Sequence, residues 1–380
     1  SKLEEASAAE GLPPPMAMAQ LWQAPLRMPF LYGHGSMLML GLQQSIPPGK
    51  VRRAEVRAAL EEVRVEIAEL VAQERELAVQ AGMLAIDLKE ARERVALHEG
   101  HRKLLGDLAA AVRARQSTGA GVLLELVRVE REEAAQHAEE EMARGDERRA
   151  RNALNLLLGA PPEAPLELRE EPQEEAIEPL PVLLERARGQ HPEILAAEAA
   201  VRRDAARAEA ARHMAGSPMV TIGVNYGWMG PDDPQNHTWG AMFSMSLPWL
   251  SKGQAAMVRA REAERDARRS DGEAVRLQVE QRVASAHARA SALTRRYVVL
   301  RERLLPASRR AVEAARSGYV TGAVDTSGWI EAVHELREVE LMEVSTRAEL
   351  ERARLELVIM TTPLPSLSSV AMAVPRKETP

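Results

Sequence analysis

Two groups of residues in this chain have types and spacings that could do chemistry. The tetrapeptide "HEGH" sets His98 and His101 three residues apart, one turn of a helix, where two imidazoles could share a metal ion. It is read here as a solvated helix face and not as a metal site. Met37, Met39, Met242 and Met245 carry thioethers, soft ligands of the kind that copper or silver takes. Methionine is also a flexible apolar filler, and Met245 falls on an apolar strand face, so these residues are read as packing. Nothing else offers a reaction: there is no GxSxG, no GxGxxG, no Walker loop and no HExxH. The expectation is a protein that is not an enzyme, with no cofactor and no metal site.

The elements around these residues are helical by composition. Of 380 residues, 28 % are charged and only 3 % aromatic, too few rings for a thick globular core. Abundant Ala, Glu, Arg and Leu suits long helices packed at close range. A net charge of −6, with Arg and Glu interspersed, gives no overall attraction to nucleic acid. The absence of cysteine excludes disulfides, thiolate metal sites and a cysteine-linked lipid anchor on this chain. No run of about 18 apolar residues supplies a transmembrane helix.

One stretch does not fit this background. In "MVTIGVNYGWMGPDDPQNHTWGAMFSMSLPWL" (219–250), Val220, Ile222, Val224, Tyr226 and Trp228 alternate with Thr221, Gly223, Asn225 and Gly227. Trp239, Ala241, Phe243, Met245, Leu247 and Trp249 then alternate with Gly240, Met242, Ser244 and Ser246. Period two predicts two strands, each with one apolar and one small or polar face. Eight of the chain's eleven aromatics lie in two windows, 16–50 and 218–250.

The two windows are copies. Pro15-Met16 answers Pro218-Met219, Gly49 answers Gly253, and Gly119 answers Gly322, all at an offset of 203 or 204. Each half reads strand, strand, long helix, glycine turn, return helix. The first repeat is 1–158, with strands within 16–46 and a helical hairpin over 50–158 turning at Gly119. After Gly49 no proline interrupts the chain before Pro161, and 70 helical residues span roughly 100 Å. A Pro- and Glu-rich linker fills 159–185. The second repeat, 186–360, has a helix at 191–216, strands at 219–249 and a hairpin at 254–360 turning at Gly322, with Pro306 expected to kink or interrupt it. A tail follows at 361–380. The first repeat has only Ser1 to Gly11 where the second has helix 191–216, so part of the native amino terminus is expected to precede Ser1. A mature start at Ser1 would refute that.

Strands of about ten residues with one apolar face fit a transmembrane barrel wall. Trp228, Trp239 and Trp249 fall near strand ends, the level of the membrane interface. Four strands cannot close a barrel, and open edges in lipid cost several kcal/mol per unpaired backbone group. Several copies must therefore join. The rivals are a periplasmic adaptor protein, which should have one hairpin flanked by β-rich halves, and a soluble coiled-coil scaffold, which gives no reason for the aromatics to cluster.

The chain resembles the TolC-like outer membrane efflux proteins over about residues 12–360. The resemblance rests on "QQSIPPGKVRRAEVRAA", "LNLLLGAPP", "HPEILAAEAAVRRDAARA", "MSLPWLSKGQAAMVRAREAE", "ARSGYVTGAVDTSGWIEA" and "LERARLELVIM", in this order and duplicated. The "GK" and "LNLLLGAPPEAPL" segments look most like the metal and cation efflux branch. The resemblance implies a mostly α fold with a small transmembrane β part. It implies a homotrimer: a twelve-stranded β-barrel in outer membrane lipid above a periplasmic α-barrel. It also implies docking with a periplasmic adaptor and an inner-membrane pump of the resistance-nodulation-division type. The family's adaptor contacts carry over to the helical tips, at Arg115, Gly119, Tyr319 and Gly322. Two acidic residues narrow the family's entrance. One falls on Glu331; the other falls on Gly328, a departure, with Asp325 one turn away. A threefold ring of carboxylates would favour cations.

Overall fold

The computed structural model describes residues 11–22, 37–117, 123–168, 176–229 and 237–362. Its four strands are β1 (Met16–Trp22), β2 (Met37–Ile46), β3 (Val220–Trp228) and β4 (His237–Met245). They make one antiparallel sheet in the order β1-β2-β3-β4. The two hairpins are far apart in sequence, yet β2 pairs with β3 from Leu38 against Trp228 to Ile46 against Val220.

The helices are α1 (Gly49–Ser117), α2 (Leu123–Leu157), α3 (Leu180–Gln190), α4 (Pro192–Gly216), α5 (Lys252–Val299), α6 (Leu305–Thr321) and α7 (Thr326–Thr361). The 69 residues of α1 run unbroken, as a proline-free stretch rich in strong helix formers allows. Pro306 acts as the sequence suggests. Between α5 and α6 a π turn, Leu300–Leu304, widens the helix, and the Leu305 N–H reaches the Leu300 carbonyl. Proline donates no hydrogen bond, so the ladder resets by one residue ahead of it, and Pro306 sits in the first turn of α6.

Two boundaries differ from the sequence reading. The alternation of β4 runs on to Trp249 in the sequence, but the strand stops at Met245 and Pro248–Leu250 forms a 3₁₀ turn. Proline has no N–H for the ladder, so it ends the strand. In the Pro-rich linker, α3 already begins at Leu180, with Pro181 in its first turn, where a missing N–H costs nothing.

The chain divides into two compact units, each described by itself. The first comprises residues up to Val71 together with Pro192–Gln278. It holds the sheet and a helical layer whose buried residues are mostly small: Ala54, Ala58 and Ala68 of α1, and Ala199, Ala206, Ala208 and Ala210 of α4. Small side chains let helix axes approach closely. Arg57 with Glu209 at 2.7 Å and Arg203 with Glu62 at 3.0 Å stitch the exposed edge of that seam. Asp204 is buried beneath it and accepts from Arg203 and, out of α5, from Arg268. Burial alone would raise its pKa, but the two guanidiniums outweigh that and hold it below the usual carboxylate range.

The second unit comprises Ala72–His191 and Val279–Ser368. Four helices meet in a buried hydrophobic core there: Leu105, Leu108 and Val112 of α1, Val129 of α2, Val312 and Tyr319 of α6, and Trp329, Val333 and Leu336 of α7.

Candidate functional site: wall, tip and entrance

The sheet register sorts every strand side chain onto one of two faces. One carries Leu21, then Leu38, Leu40, Leu42 and Ile46, then Val220, Ile222, Val224, Tyr226 and Trp228, then Trp239, Ala241, Phe243 and Met245. These side chains are offered to the surroundings, Val224 at 63 %, Phe243 at 68 % and Trp239 at 85 % exposure. In water that would be a large uncovered apolar sheet; in lipid it is solvated. The opposite face carries Gln20, Gln43, Ser45, Thr221, Asn225, Thr238 and Ser244, with glycines and methionines between them. Ser45 and Thr221 hydroxyls meet across strands at 3.1 Å.

The three tryptophans predicted for the interface fall at two levels. Trp228 pairs with His237 and Trp239 with Tyr226, next to one another at the end where β3 leads toward β4. Trp249 lies in the 3₁₀ turn at the other end, 56 % exposed. Tyr226 and His237 stack at 5.8 Å and hydrogen-bond through the phenol and Nδ1. Trp22 shares the polar face with Gln20, as their spacing in the sequence implies.

The tip of the second hairpin is built by Gly322. Its φ of 78° and ψ of 10° are left-handed, a conformation that costs a side-chain-bearing residue about 1–2 kcal/mol. The N–H groups of Ala323 and Val324 fold back onto the Gly318 carbonyl, at 2.8 and 3.1 Å, and so satisfy the end of α6. Val324 lies over Gly318 so closely that a Cβ there would sit 2.5 Å from its methyl. Asp325 then caps α7: its Oδ1 accepts from the Gly328 N–H at 2.9 Å.

Tyr319 is not on the tip's surface. It is 4 % exposed, its ring tilted against Trp329 at 5.4 Å and covered by Arg115 at 5.5 Å from the ring centroid. Gly119 lies outside the described residues. The exposed surface near the tip is instead Arg115 together with Leu123, Leu124, Val127 and Val320, the last at 79 % exposure. The sequence reading missed this apolar cluster, although "GVLLELV" directly after the turn, in a charged helix, was a signal for it.

At the predicted entrance, Glu331 is exposed on α7 and has no ion-pair partner among the described residues. Asp325 stands earlier on the same chain but has its carboxylate engaged in the cap. The missing acid at Gly328 has a local counterpart: a Cβ there would lie 3.0 Å from Val324 and 3.4 Å from Asp325 Oδ1.

"HEGH" is a correction. Its histidines are not solvated: His98 is 7 % and His101 2 % exposed. His98 Nδ1 accepts from Gln136 of α2 at 2.9 Å, and His101 Nε2 bonds Glu340 of α7 at 2.8 Å. Burial lowers the pKa of His98. Burial would raise that of Glu340, but His101 and Arg309 outweigh it and hold it low. The pair therefore belongs to helix packing. No group of three or more histidines and carboxylates able to hold a metal occurs among the described residues.

Together, a duplicated strand–strand–helical-hairpin unit, a sheet apolar on its outward face, and a second hairpin that turns at Gly322 define the protomer of a TolC-like channel. The sequence profile of the family described as outer membrane efflux protein matches residues 23–160 and 183–361. The chain belongs to that family. It is a channel subunit of the outer membrane, not an enzyme and not an adaptor. No curated protein sequence matches it. Among solved structures it is similar to the outer membrane protein VceC of Vibrio cholerae: 18 % identity, TM-score 0.76, covering 95 % of this chain and 89 % of that one. It is also similar to CusC, at 17 % identity and TM-score 0.78, over 96 % of this chain and 86 % of that one. The open-state MtrE channel of Neisseria gonorrhoeae matches at 20 % identity and TM-score 0.75, over 95 % and 83 %.

Proposed function

We propose that three copies of this chain close into a twelve-stranded barrel through the outer membrane and a helical tube in the periplasm. The assembly conducts solutes delivered by an inner-membrane pump of the resistance-nodulation-division type through a periplasmic adaptor. The observation that carries this is the sheet. Among the described residues of one protomer, β1 and β4 each have a single strand neighbour, and the apolar face is uncovered. Joining β4 of one copy to β1 of the next removes both open edges, and lipid covers the face.

In this reading the tips contact the adaptor. Arg115 and the exposed Leu123, Leu124, Val127 and Val320 offer the surface, while Gly322 and the buried Tyr319 hold the second turn; Gly119 is assigned to the first by its sequence match to Gly322. Trp228 and Trp239 mark one membrane interface and Trp249 the other. Glu331 supplies a carboxylate to each third of the entrance, and Asp325 adds its charge from the cap. The energy comes from the pump, so no residue here needs to react.

The test is reconstitution. The purified protein should require detergent, run as a trimer, and give discrete conductance steps in a planar bilayer. A compact monomer that stays soluble without detergent would overturn the proposal.

A further inference from the structure

Five arginines recur at intervals of seven along α5, the π turn and α6: Arg282, Arg289, Arg296, Arg303 and Arg310. Seven residues make nearly two helical turns, so these side chains climb one flank with about 10 Å between rungs. Arg289, Arg296, Arg303 and Arg310 are exposed, and among the described residues none of the four has an ion-pair partner. Arg310 Nε donates to the Pro306 carbonyl of its own helix at 3.2 Å. Other arginines of this unit reach carboxylates across helix seams, as Arg102 does with Glu140 at 2.9 Å and Arg309 with Glu340 at 3.2 Å. The ladder is a run of positive charge left unmatched within the protomer.

Helix α2 carries the opposite sign at the same interval: Glu125, Glu132, Glu139 and Asp146. Glu132 is buried and held by Arg131 and His334. Glu139 is exposed and has no ion-pair partner among the described residues, and the exposed Asp146 pairs with Arg149 of its own helix.

The two runs stand at matching heights. Helix α7 bonds to both α2 and α6, which gives a common scale. Glu132 meets His334 and Gln136 meets Arg337, 202 and 201 residues apart, so α2 runs parallel to α7 and Glu139 is level with Glu340. Tyr319 rests on Trp329 and Arg309 reaches Glu340, so α6 runs antiparallel to α7. Glu139 is therefore level with Arg310, and Asp146, seven residues on, is level with Arg303, seven residues back. The match covers these two rungs. Seven past Asp146 stands Ala153, and seven past Arg310 stands Ser317.

Within one protomer α2 and α6 share no hydrogen bond or ion pair among the described residues. Apolar side chains beside both runs are uncovered, Met142 on α2, and Val299 and Leu304 next to Arg303. Uncovered apolar groups rimmed by charge mark a protein partner better than a water-filled wall. Copies related by rotation about a tube axis keep their heights, so each rung of one copy meets the level acid of the next.

We infer that the lower end of this ladder lies along α2 of a second copy of this chain, with Arg303 against Asp146 and Arg310 against Glu139. The inference rests on the trimeric-channel reading and names the helical seam that closes its tube. Opposite charges flanking an apolar seam set partner and register, as they do at the edges of coiled coils.

The chain contains no cysteine, so a single pair can be introduced into the full-length protein. Arg310→Cys with Glu139→Cys, treated in detergent with a short bismaleimide, should give covalent trimers on a denaturing gel. Arg289→Cys with Glu139→Cys should not, because the two arginine positions lie roughly 30 Å apart along the helix. Arg303→Glu with Arg310→Glu turns attraction into repulsion at every seam and should speed subunit exchange between differently labelled trimers at least about tenfold. Adding Glu139→Arg and Asp146→Arg should restore slow exchange. If the reversed variant does not assemble at all, recovery of trimers in the fourfold variant decides. Trimers that fail to cross-link through positions 139 and 310, or that exchange at the wild-type rate after reversal, overturn the seam and leave the channel standing. A reversal potential moved by Arg303→Glu and Arg310→Glu with exchange unchanged would place the ladder on the lumen instead. Wild-type protein that is monomeric in detergent and does not conduct would count against the channel reading, and the seam would fall with it.

Discussion

Gln136 joins His98 to Arg337: its Nε2 donates to His98 Nδ1 at 2.9 Å, while its Oε1 accepts from Arg337 Nη1 at 3.2 Å. The guanidinium fixes which way the amide faces, and the amide then requires a lone pair on Nδ1. The imidazole must be neutral.

A pH dependence follows. Burial lowers the pKa of His98, with His101, Arg337 and Arg94 pushing the same way and Glu139 opposing. A histidine whose folded pKa lies below its unfolded value of 6.5 is protonated more readily in the unfolded chain. Its contribution is intact above that value and is eroded as pH falls below it. The thermal midpoint of the purified protein should drop between about pH 7.5 and about pH 5.5, the range in which histidine titrates. His98→Asn, whose Oδ1 can accept from Gln136 without titrating, should show a smaller drop. Identical slopes would mean that this network does not sense protons.

Much of the wall was legible in the sequence, because period two survives wherever one face is buried or in lipid. The outward residues of β2 and β3 could be read directly. The face of β1 could not, because Ala17 and Ala19 alternate with Met16 and Met18, and both sets are apolar. The burial of His98 and His101 was hidden for a different reason. Their partners Gln136 and Glu340 are 38 and 239 residues away, and only the tertiary fold places them. The same holds for Tyr319, a tip residue by sequence but a core residue once Trp329 and Arg115 enclose it.

That enclosure separates packing from hydrogen bonding. The Tyr319 hydroxyl is buried without a hydrogen-bond partner among the described residues. Tyr319→Phe should therefore leave the tip as stable as before or slightly more so. Trp329→Ala removes the ring that Tyr319 rests on and should cost about 3–5 kcal/mol, as large-to-small core changes do. Limited proteolysis at the tip should be unchanged in the first variant and markedly faster in the second. Fast cleavage of Tyr319→Phe would indicate a partner for the hydroxyl.

Neighbouring residues on opposite faces test the orientation of the wall. Val224 points outward and Asn225 inward on the same strand. Val224→Arg should cost roughly 2–4 kcal/mol per chain if it reaches the bilayer midplane, and should deplete the protein from the outer membrane fraction. Asn225→Arg should insert normally and change the conductance. The reverse pattern would exchange the two faces.

The entrance charge can be separated from the cap. Asp325→Asn keeps an N-cap acceptor, whereas Asp325→Ala loses it at a cost of about 1 kcal/mol. Only the alanine variant should loosen the start of α7. Glu331 is exposed, and among the described residues it has no ion partner to neutralise it. In the trimer, three such carboxylates around a narrow opening would raise the local concentration of cations. Glu331→Gln should therefore lower cation preference, read as a shift in reversal potential across a salt gradient, and Asp325→Asn should shift it less. If Glu331→Gln leaves the reversal potential in place, this glutamate does not line the route that ions take.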